Sequence, residues 1–271
     1  MSINRACIIL WVILFMVGMW LAMHKPLWCD EISGQKIDIE GSSWREVVTG
    51  RIKGLNNPPL YFVFQKAITS IIKLHFPDDL LKDFQLPTEK RKYFLLAYPK
   101  GQIVLRMLPD ILMTTAIVFL VRFFWIREGG VVGGIALLSA LTSGMVWWYW
   151  VEARPYPLWF LLTLLQALFL IEILSAPKFS GKAKIHLMIC NWLLVVTVTP
   201  GFIQVIIAQV ILFLSGQRQL RSHVLAGVLP VCIAFSFFGI RENKPLFTVI
   251  NPEEIIRLNF SFEQLSLLFF I

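Results

Sequence analysis

The stretch ACIILWVILFMVGMWLAM, residues 6–23, contains no charged side chain and directly follows Arg5. An apolar run of this length can cross the hydrocarbon core of a bilayer as a single helix. No small-residue cleavage site follows it, which favours a retained first membrane span over a removed signal peptide. With Arg5 at its start, the positive-inside rule predicts a cytoplasmic N-terminus.

The composition of the whole chain also indicates a membrane protein. Hydrophobic residues make up 57% of the 271 residues, charged residues make up 15%, and the mean hydropathy is +0.69. The formal net charge of +8 is divided among short basic clusters between apolar runs. This distribution argues against a nucleic-acid partner, because nucleic-acid binding needs one patterned basic face. The four cysteines stand singly and predict neither a disulfide framework nor a metal-binding pair.

Further apolar runs predict an all-α fold, a polytopic transmembrane helix bundle of about seven spans. After the first run, the predicted spans are residues 102–125, 131–150, 157–174, 185–199, 202–214 and 223–240. Basic clusters between alternate runs mark cytoplasmic loops by the positive-inside rule. The protein is therefore expected to be an integral, multi-pass protein of the cell or inner membrane, with the other loops on the extracytoplasmic side.

The predicted threading divides the chain into a transmembrane module and a tail. Residues 1–240 form the module, and residues 241–271 form an external tail whose end resembles the start of a further span. Residues 25–101 make the first extracytoplasmic loop. Within that loop, residues 58–76 are predicted to form a helix at the membrane surface, because polar and apolar residues recur on its opposite faces.

Several charged and polar side chains converge on the outer ends of these predicted spans. They are Asp30, Glu31, Asn56, Asn57, Arg106, Asp110, Glu152 and Arg154. Convergent polar groups at one membrane face predict a functional site, because unpaired charge is expensive there.

Each group also has a simpler interpretation. Arg106 and Asp110 lie four residues apart on one helical face and are able to pair with each other. Glu152 and Arg154 can serve as interfacial anchors beside the tryptophans that precede them. The two carboxylates after the first span can be ordinary loop residues in water.

Four short motifs in a fixed order resemble the membrane glycosyltransferases of the GT-C class. They are WCDE (28–31), NNPPLYF (56–62), LRMLPDIL (105–112) and EARPYPLWFLLTLL (152–165). The closest likeness is to the protein O-mannosyltransferase and lipid A aminoarabinose transferase branch, and it covers residues 6–174. The order and spacing of the motifs carry most of the weight.

The resemblance implies an enzyme that transfers a sugar, with inversion, from a polyprenyl-phosphate donor to an acceptor hydroxyl on the extracytoplasmic face. By this likeness Asp30 and Glu31 are the catalytic carboxylates, with Asp30 as the base and Glu31 as the partner of an arginine or a metal ligand. Arg106 and Arg154 hold the donor phosphate, and the supporting residues are Asn57, Asp110, Glu152 and Tyr156. A carboxylate can accept the proton of an attacking hydroxyl, and an arginine fork suits phosphate oxygens.

The chain departs from the family in two respects. The family often places a histidine or an acidic-basic pair directly before the Pro-Pro element, whereas Asn56 and Asn57 stand there in this chain. An amide is a poor metal ligand, so a divalent metal ion is left open as a cofactor. The chain is also shorter than the family leads one to expect, which fits a fragment or a reduced module.

Two other classes of protein stay open on the sequence alone. A truncated or non-catalytic membrane subunit derived from such an enzyme is the stronger rival. A transporter would need broken helices and a repeated half, and no internal repeat is evident. The expected partners are the lipid-linked donor, membrane lipids and an acceptor that can be a protein, a lipid or a glycan.

Overall fold

The computed structural model describes residues 2–52, 58–76, 98–175 and 181–215. The chain divides into two units, Met1–Val231 and Cys232–Ile271, and every described residue belongs to the first. In the described ranges, the regular structure is helical throughout, as the sequence predicts. The predicted span 223–240 and the tail 241–271 lie outside these ranges.

The described residues form ten α-helices and one π-helix. In chain order the α-helices are α1 (Ile3–His24), α2 (Cys29–Ser33), α3 (Trp44–Val48), α4 (Leu60–Ile72), α5 (Pro99–Glu128), α6 (Gly130–Thr142), α7 (Gly144–Tyr149), α8 (Tyr156–Ser175), α9 (Gly181–Val195) and α10 (Pro200–Leu214). A π-helix, π1 (Gly34–Glu40), continues directly from α2.

Among the described helices, three are long and apolar enough to cross a membrane: α1, α5 and α8. They contain or closely match the predicted spans 6–23, 102–125 and 157–174. At about 1.5 Å per residue, the 30 residues of α5 extend about 45 Å, which exceeds the roughly 30 Å of a hydrocarbon core. The first turns of α5 therefore have the length to reach beyond the apolar region.

Helix α5 is the centre of the packing and contacts α1, α6 and α8. Its middle supplies small and branched apolar side chains to a core shared with α1, α6 and α7. A second core joins α8, α9 and α10. A third, smaller core lies where the chain between α1 and π1 meets α4 and the start of α5, and it contains Leu27, Ile32 and Leu105.

The predicted span 131–150 is two helices, α6 and α7, with a break at Ser143. Ser143 has extended backbone angles, φ −72° and ψ 115°. The carbonyls released near the break find local donors: the Thr142 hydroxyl donates to Leu138 and Ser139, and the Trp147 indole donates to Leu141. Side-chain donors at the break therefore bond the carbonyls of Leu138, Ser139 and Leu141.

Helix α4 lies within the predicted surface helix 58–76, and its polar face points inward. Gln65, Lys66 and Thr69 are buried, whereas Ile71 is 80% exposed. The cause lies in α5, where Pro109 has no backbone N–H and cannot bond the carbonyl four residues earlier. That carbonyl belongs to Leu105, and the Gln65 side-chain amide donates to it across 3.4 Å.

Lys66 adds a second polar anchor to the same face. Its ammonium donates to the carbonyls of Ile39 and Ser42 at 2.7 and 2.6 Å and lies over the Trp44 ring. Burial lowers the Lys66 pKa, and the charges of Glu40 and Glu46 partly oppose that shift. The inner face of α4 is therefore fixed by backbone carbonyls, and its apolar face is left on the outside.

Candidate functional site

The candidate site lies where four stretches of chain meet. These stretches are the end of α1, helix α2, the start of α5 and the segment 150–155 before α8. Ion pairs join α2 to α5 and α2 to the segment 150–155. Residues that are far apart in sequence are thus brought together at one end of α1.

Glu31 and Arg106 form a fully buried ion pair in the interior of the site. Glu31 Oε1 accepts from Arg106 Nε at 3.0 Å and from the backbone N–H of Ala153 at 2.8 Å. Glu31 Oε2 accepts from Arg106 Nη2 at 2.6 Å and from the backbone N–H of Trp28 at 2.9 Å. A carboxylate has about four lone-pair positions, and all four are in use.

The N–H groups of Arg106 all have acceptors as well. Besides its two bonds to Glu31, its Nη1 donates to the carbonyls of Ala22 and Lys25, and its Nη2 donates to the carbonyl of Pro26 at 2.8 Å. A guanidinium has five N–H groups, so none is left for another ligand. Arg106 instead fixes the chain that leaves α1.

These contacts correct two expected roles. Arg106 has no donor available for a phosphate, and Glu31 has no lone pair available for a proton or a metal ion. Of the two secondary roles expected for Glu31, the structure shows the arginine partner. Arg106 is paired with Glu31 rather than with Asp110, because the carboxylate of α2 reaches the guanidinium in a bidentate geometry.

Asp30 and Arg154 form a second ion pair, and it is accessible. Arg154 Nη2 lies 3.0 Å from Asp30 Oδ2. The Arg154 side chain is 33% exposed and the Asp30 side chain is 52% exposed. The Arg154 guanidinium carbon lies 5.7 Å from the centre of the Tyr156 ring, which is within cation–π range. This pair is the part of the site that a ligand can reach.

Glu152 is a buried carboxylate beside these pairs. It is 8% exposed, and its Oε2 has no hydrogen-bond partner among the described residues. Burial raises the Glu152 pKa, the charges of Glu31 and Asp30 raise it further, and Arg154 opposes the shift most strongly. Glu152 is thus the least satisfied acidic group near the site.

Asp110 is buried deeper, on the side of α5 that faces α1. Its Oδ1 accepts from the Trp150 indole at 2.8 Å and from the Thr114 hydroxyl at 3.3 Å. A Cβ on Gly18 of α1 would lie 1.8 Å from that oxygen, so only glycine allows this approach. Asp110 therefore holds Trp150, and with it the start of the segment 150–155, against two helices.

The sequence did not single out two residues that lie near the site. Lys25 donates to the Trp148 carbonyl at 3.3 Å, and burial together with the Arg106 charge lowers its pKa. Tyr61 is buried on α4, and burial raises its pKa, with smaller contributions from the charges of Glu31 and Glu152. Two sequence signals could have identified these residues. Lys25 comes directly after the first span, and Tyr61 belongs to the Pro-Pro-Leu-Tyr motif.

Metal binding has little support in the described part of the chain. No group of three or more His, Cys, Asp or Glu side chains within it is placed to hold a metal ion. Asn57, a residue predicted to support the site, lies outside the described residues, as does Asn56.

Comparison of the chain with protein-family models, curated proteins and solved structures gives no match. The class of protein is therefore described from the fold and the site alone. The chain is all-helical in its described residues, with three helices able to span a membrane and a polar site at the end of one of them.

Proposed function

We propose that the protein is a membrane glycosyltransferase. It would transfer a sugar from a polyprenyl-phosphate donor to an acceptor hydroxyl on the extracytoplasmic face, with inversion. The observation that carries this proposal is the accessible Asp30–Arg154 pair beside the buried Glu31–Arg106 pair. One pair offers a base and an anion-binding cation to a ligand, while the other keeps the supporting chain rigid.

The chemistry needs one carboxylate and one fixed cation. The acceptor oxygen forms a bond to the anomeric carbon as its proton passes to Asp30. The bond between that carbon and the phosphate oxygen breaks, and its electron pair leaves with the phosphate. A single displacement of this kind inverts the anomeric configuration, and Arg154 stabilises the charge that grows on the phosphate.

The roles of the remaining residues follow from their contacts. Glu31 and Arg106 are positioning residues, since both are saturated by partners within the chain. Tyr156 offers its ring to the Arg154 guanidinium as a cation–π partner. Glu152 lies beside these groups, and its Oε2 has no hydrogen-bond partner in the described parts of the chain. No step is assigned to a metal ion.

The proposal places the site on the extracytoplasmic side of a bundle of about seven spans. The positive-inside rule supports this orientation, and the exposed apolar face of α4 suits the lipid headgroup boundary. Single cysteines in a background without the four native ones test it. An impermeant thiol reagent should label Arg45→Cys in intact cells and should not label Lys182→Cys, and the opposite pattern would invert the threading.

Transfer itself is tested in membranes supplied with labelled polyprenyl-phosphate sugars and endogenous acceptors. Asp30→Asn should lower turnover at least about a hundredfold, the usual scale of general-base catalysis. Asp38→Asn is the matched control, since it makes the same Asp-to-Asn change at a half-buried carboxylate of π1, outside the two ion pairs of the site. Absence of transfer by the wild type across a panel of donors and acceptors would favour the non-catalytic membrane subunit instead.

A further inference from the structure

We propose that helices α3 and α4 form a surface that binds anionic phospholipids. Phe64 and Ile71 enter the outer part of the acyl-chain region, while Arg45, Arg51 and Lys73 meet the headgroup phosphates. The inference goes beyond the proposed function, because it holds whether or not the protein transfers a sugar.

The tethers of α4 place it at the ends of longer apolar helices. Its first backbone N–H, at Leu60, donates at 3.0 Å to the carbonyl of Val196, the residue directly after α9. Its Gln65 amide reaches the carbonyl of Leu105, which lies only about 9 Å along the axis of α5 at 1.5 Å per residue. Helix α4 therefore lies near the level at which α5 leaves the hydrocarbon core, where the headgroups are.

The outer face of α4 is an apolar stripe. Leu60, Phe64, Ala67 and Ile71 recur at helical spacing on one side of the helix. Phe64 is 45% exposed and Ile71 is 80% exposed, whereas the polar side chains of the opposite face are buried. A helix on a water-soluble protein has the reverse arrangement, so the medium that suits this stripe is the acyl-chain boundary of a bilayer.

Helix α3 adds a second exposed apolar face beside α4. The two helices pack together, and the Lys66 ammonium lies 5.6 Å from the centre of the Trp44 ring. Trp44 is 46% exposed, and Val48, one helical turn further along, is 55% exposed. Tryptophan is enriched at the level of the headgroups, because its ring is apolar and its N–H is polar.

The charge on these two helices is positive. Residues 58–76 contain no acidic residue, and Glu46 is the one acidic residue of 41–52. The Glu46 carboxylate accepts from the backbone N–H of Ser43 at 2.6 Å, as part of the cap of α3. Exposed cations lie in α3 or shortly after the two helices: Arg45, Arg51 and Lys73. Cations beside an interfacial apolar face favour anionic lipids, each by up to about fivefold, so an anionic phospholipid matches both parts of the surface.

Site-specific quenching tests the proposal in the full-length protein reconstituted in phosphatidylcholine nanodiscs. Val48→Cys and Ile71→Cys each carry a bimane label in a background without the four native cysteines. Doxyl-labelled phosphatidylglycerol or phosphatidylcholine is then added at the same low mole fraction. Both lipids should quench both labels, and phosphatidylglycerol should quench about two- to fivefold more efficiently. A label at Ile13→Cys, on an exposed apolar face in the middle of α1, should be quenched equally by the two lipids.

Removal of the cations tests their assignment. Arg45→Gln with Arg51→Gln should abolish the preference for phosphatidylglycerol at the Val48 label, and Lys73→Gln should reduce it at the Ile71 label. Arg127→Gln removes an exposed arginine from the other end of α5 and should change neither. Higher salt should weaken the preference, because exposed charges are screened.

Three results would overturn the proposal. The first is a label at Ile71 that neither lipid quenches while the Ile13 label is quenched, which would mean that protein or water covers α4. The second is equal quenching by the two lipids at both Val48 and Ile71. The third is a preference that survives the loss of the cations. None of these measurements involves sugar transfer, so an inactive protein that shows the preference would uphold the lipid surface and refute only the glycosyltransferase.

Discussion

Glu31→Gln tests whether the buried Glu31–Arg106 ion pair stabilises the protein. The substitution keeps the shape of the side chain but replaces one oxygen with an amide NH2. Each Glu31 oxygen accepts one bond from Arg106 and one backbone N–H, so the new NH2 would face two donors wherever it pointed. It would also leave the Arg106 charge buried without a counter-ion.

The expected cost follows from burial. Removing one partner of a buried ion pair destabilises a protein by about 3–5 kcal/mol. For a domain of this size, that corresponds to a fall in melting temperature on the order of 10 °C. Asp30→Asn breaks an exposed pair that is worth about 0–1 kcal/mol, so its melting temperature should stay within a few degrees of wild type.

Fluorescence-detected size-exclusion chromatography after heating measures both variants in detergent. Arg106→Gln should also destabilise, because it strands the carbonyls of Ala22, Lys25 and Pro26. The combination of Glu31→Gln with Arg106→Gln should cost less than the sum of the two, since both remove the same pair. Equal melting temperatures for Glu31→Gln and Asp30→Asn would refute the conclusion that the Glu31–Arg106 pair stabilises the fold while the Asp30–Arg154 pair does not.

Two further predictions concern the neighbouring elements. Burial raises the Glu152 pKa, so the folded state holds this proton more tightly than the unfolded chain does, and stability falls as the pH rises above the unfolded value of about 4.3. Glu152→Gln should therefore raise the melting temperature more at pH 8 than at pH 5, and an equal shift at both would contradict this. Gln65→Leu should cost about 1–3 kcal/mol by leaving the Leu105 carbonyl unsatisfied. In a Pro109→Ala background the restored backbone N–H can satisfy that carbonyl, so the loss should shrink there; an undiminished loss would exclude this link.

The sequence predicts the long helices well because their signal is local. The apolar runs that became α1, α5 and α8 each exceed the length needed to cross a bilayer. The break at Ser143 was missed, although Thr142, Ser143 and Gly144 together are weak helix formers. Apolar residues continue on both sides of the break, so hydropathy alone gives no boundary.

The site shows where local reasoning stops. The convergence of the charged residues could be inferred from the side of the membrane that each span end is predicted to face. The choice of partner could not, because spacing favours Arg106 with Asp110, whereas the actual partner Glu31 lies 75 residues away. The inward polar face of α4 was also out of reach, since it depends on the carbonyl that Pro109 releases in another helix.

The bonds of Glu31 also set the order in which the protein can mature. Its donors come from positions 28, 106 and 153, and the last of them is separated from it by 122 residues. During synthesis, α1 and α2 exist before any counter-ion for Glu31 has been made. The guanidinium arrives with the first turns of α5, and the backbone of Ala153 arrives only after α6 and α7. The full set of Glu31 bonds can therefore form only after residue 153 has been made, and a nascent chain halted before it would leave one position of the carboxylate without its donor.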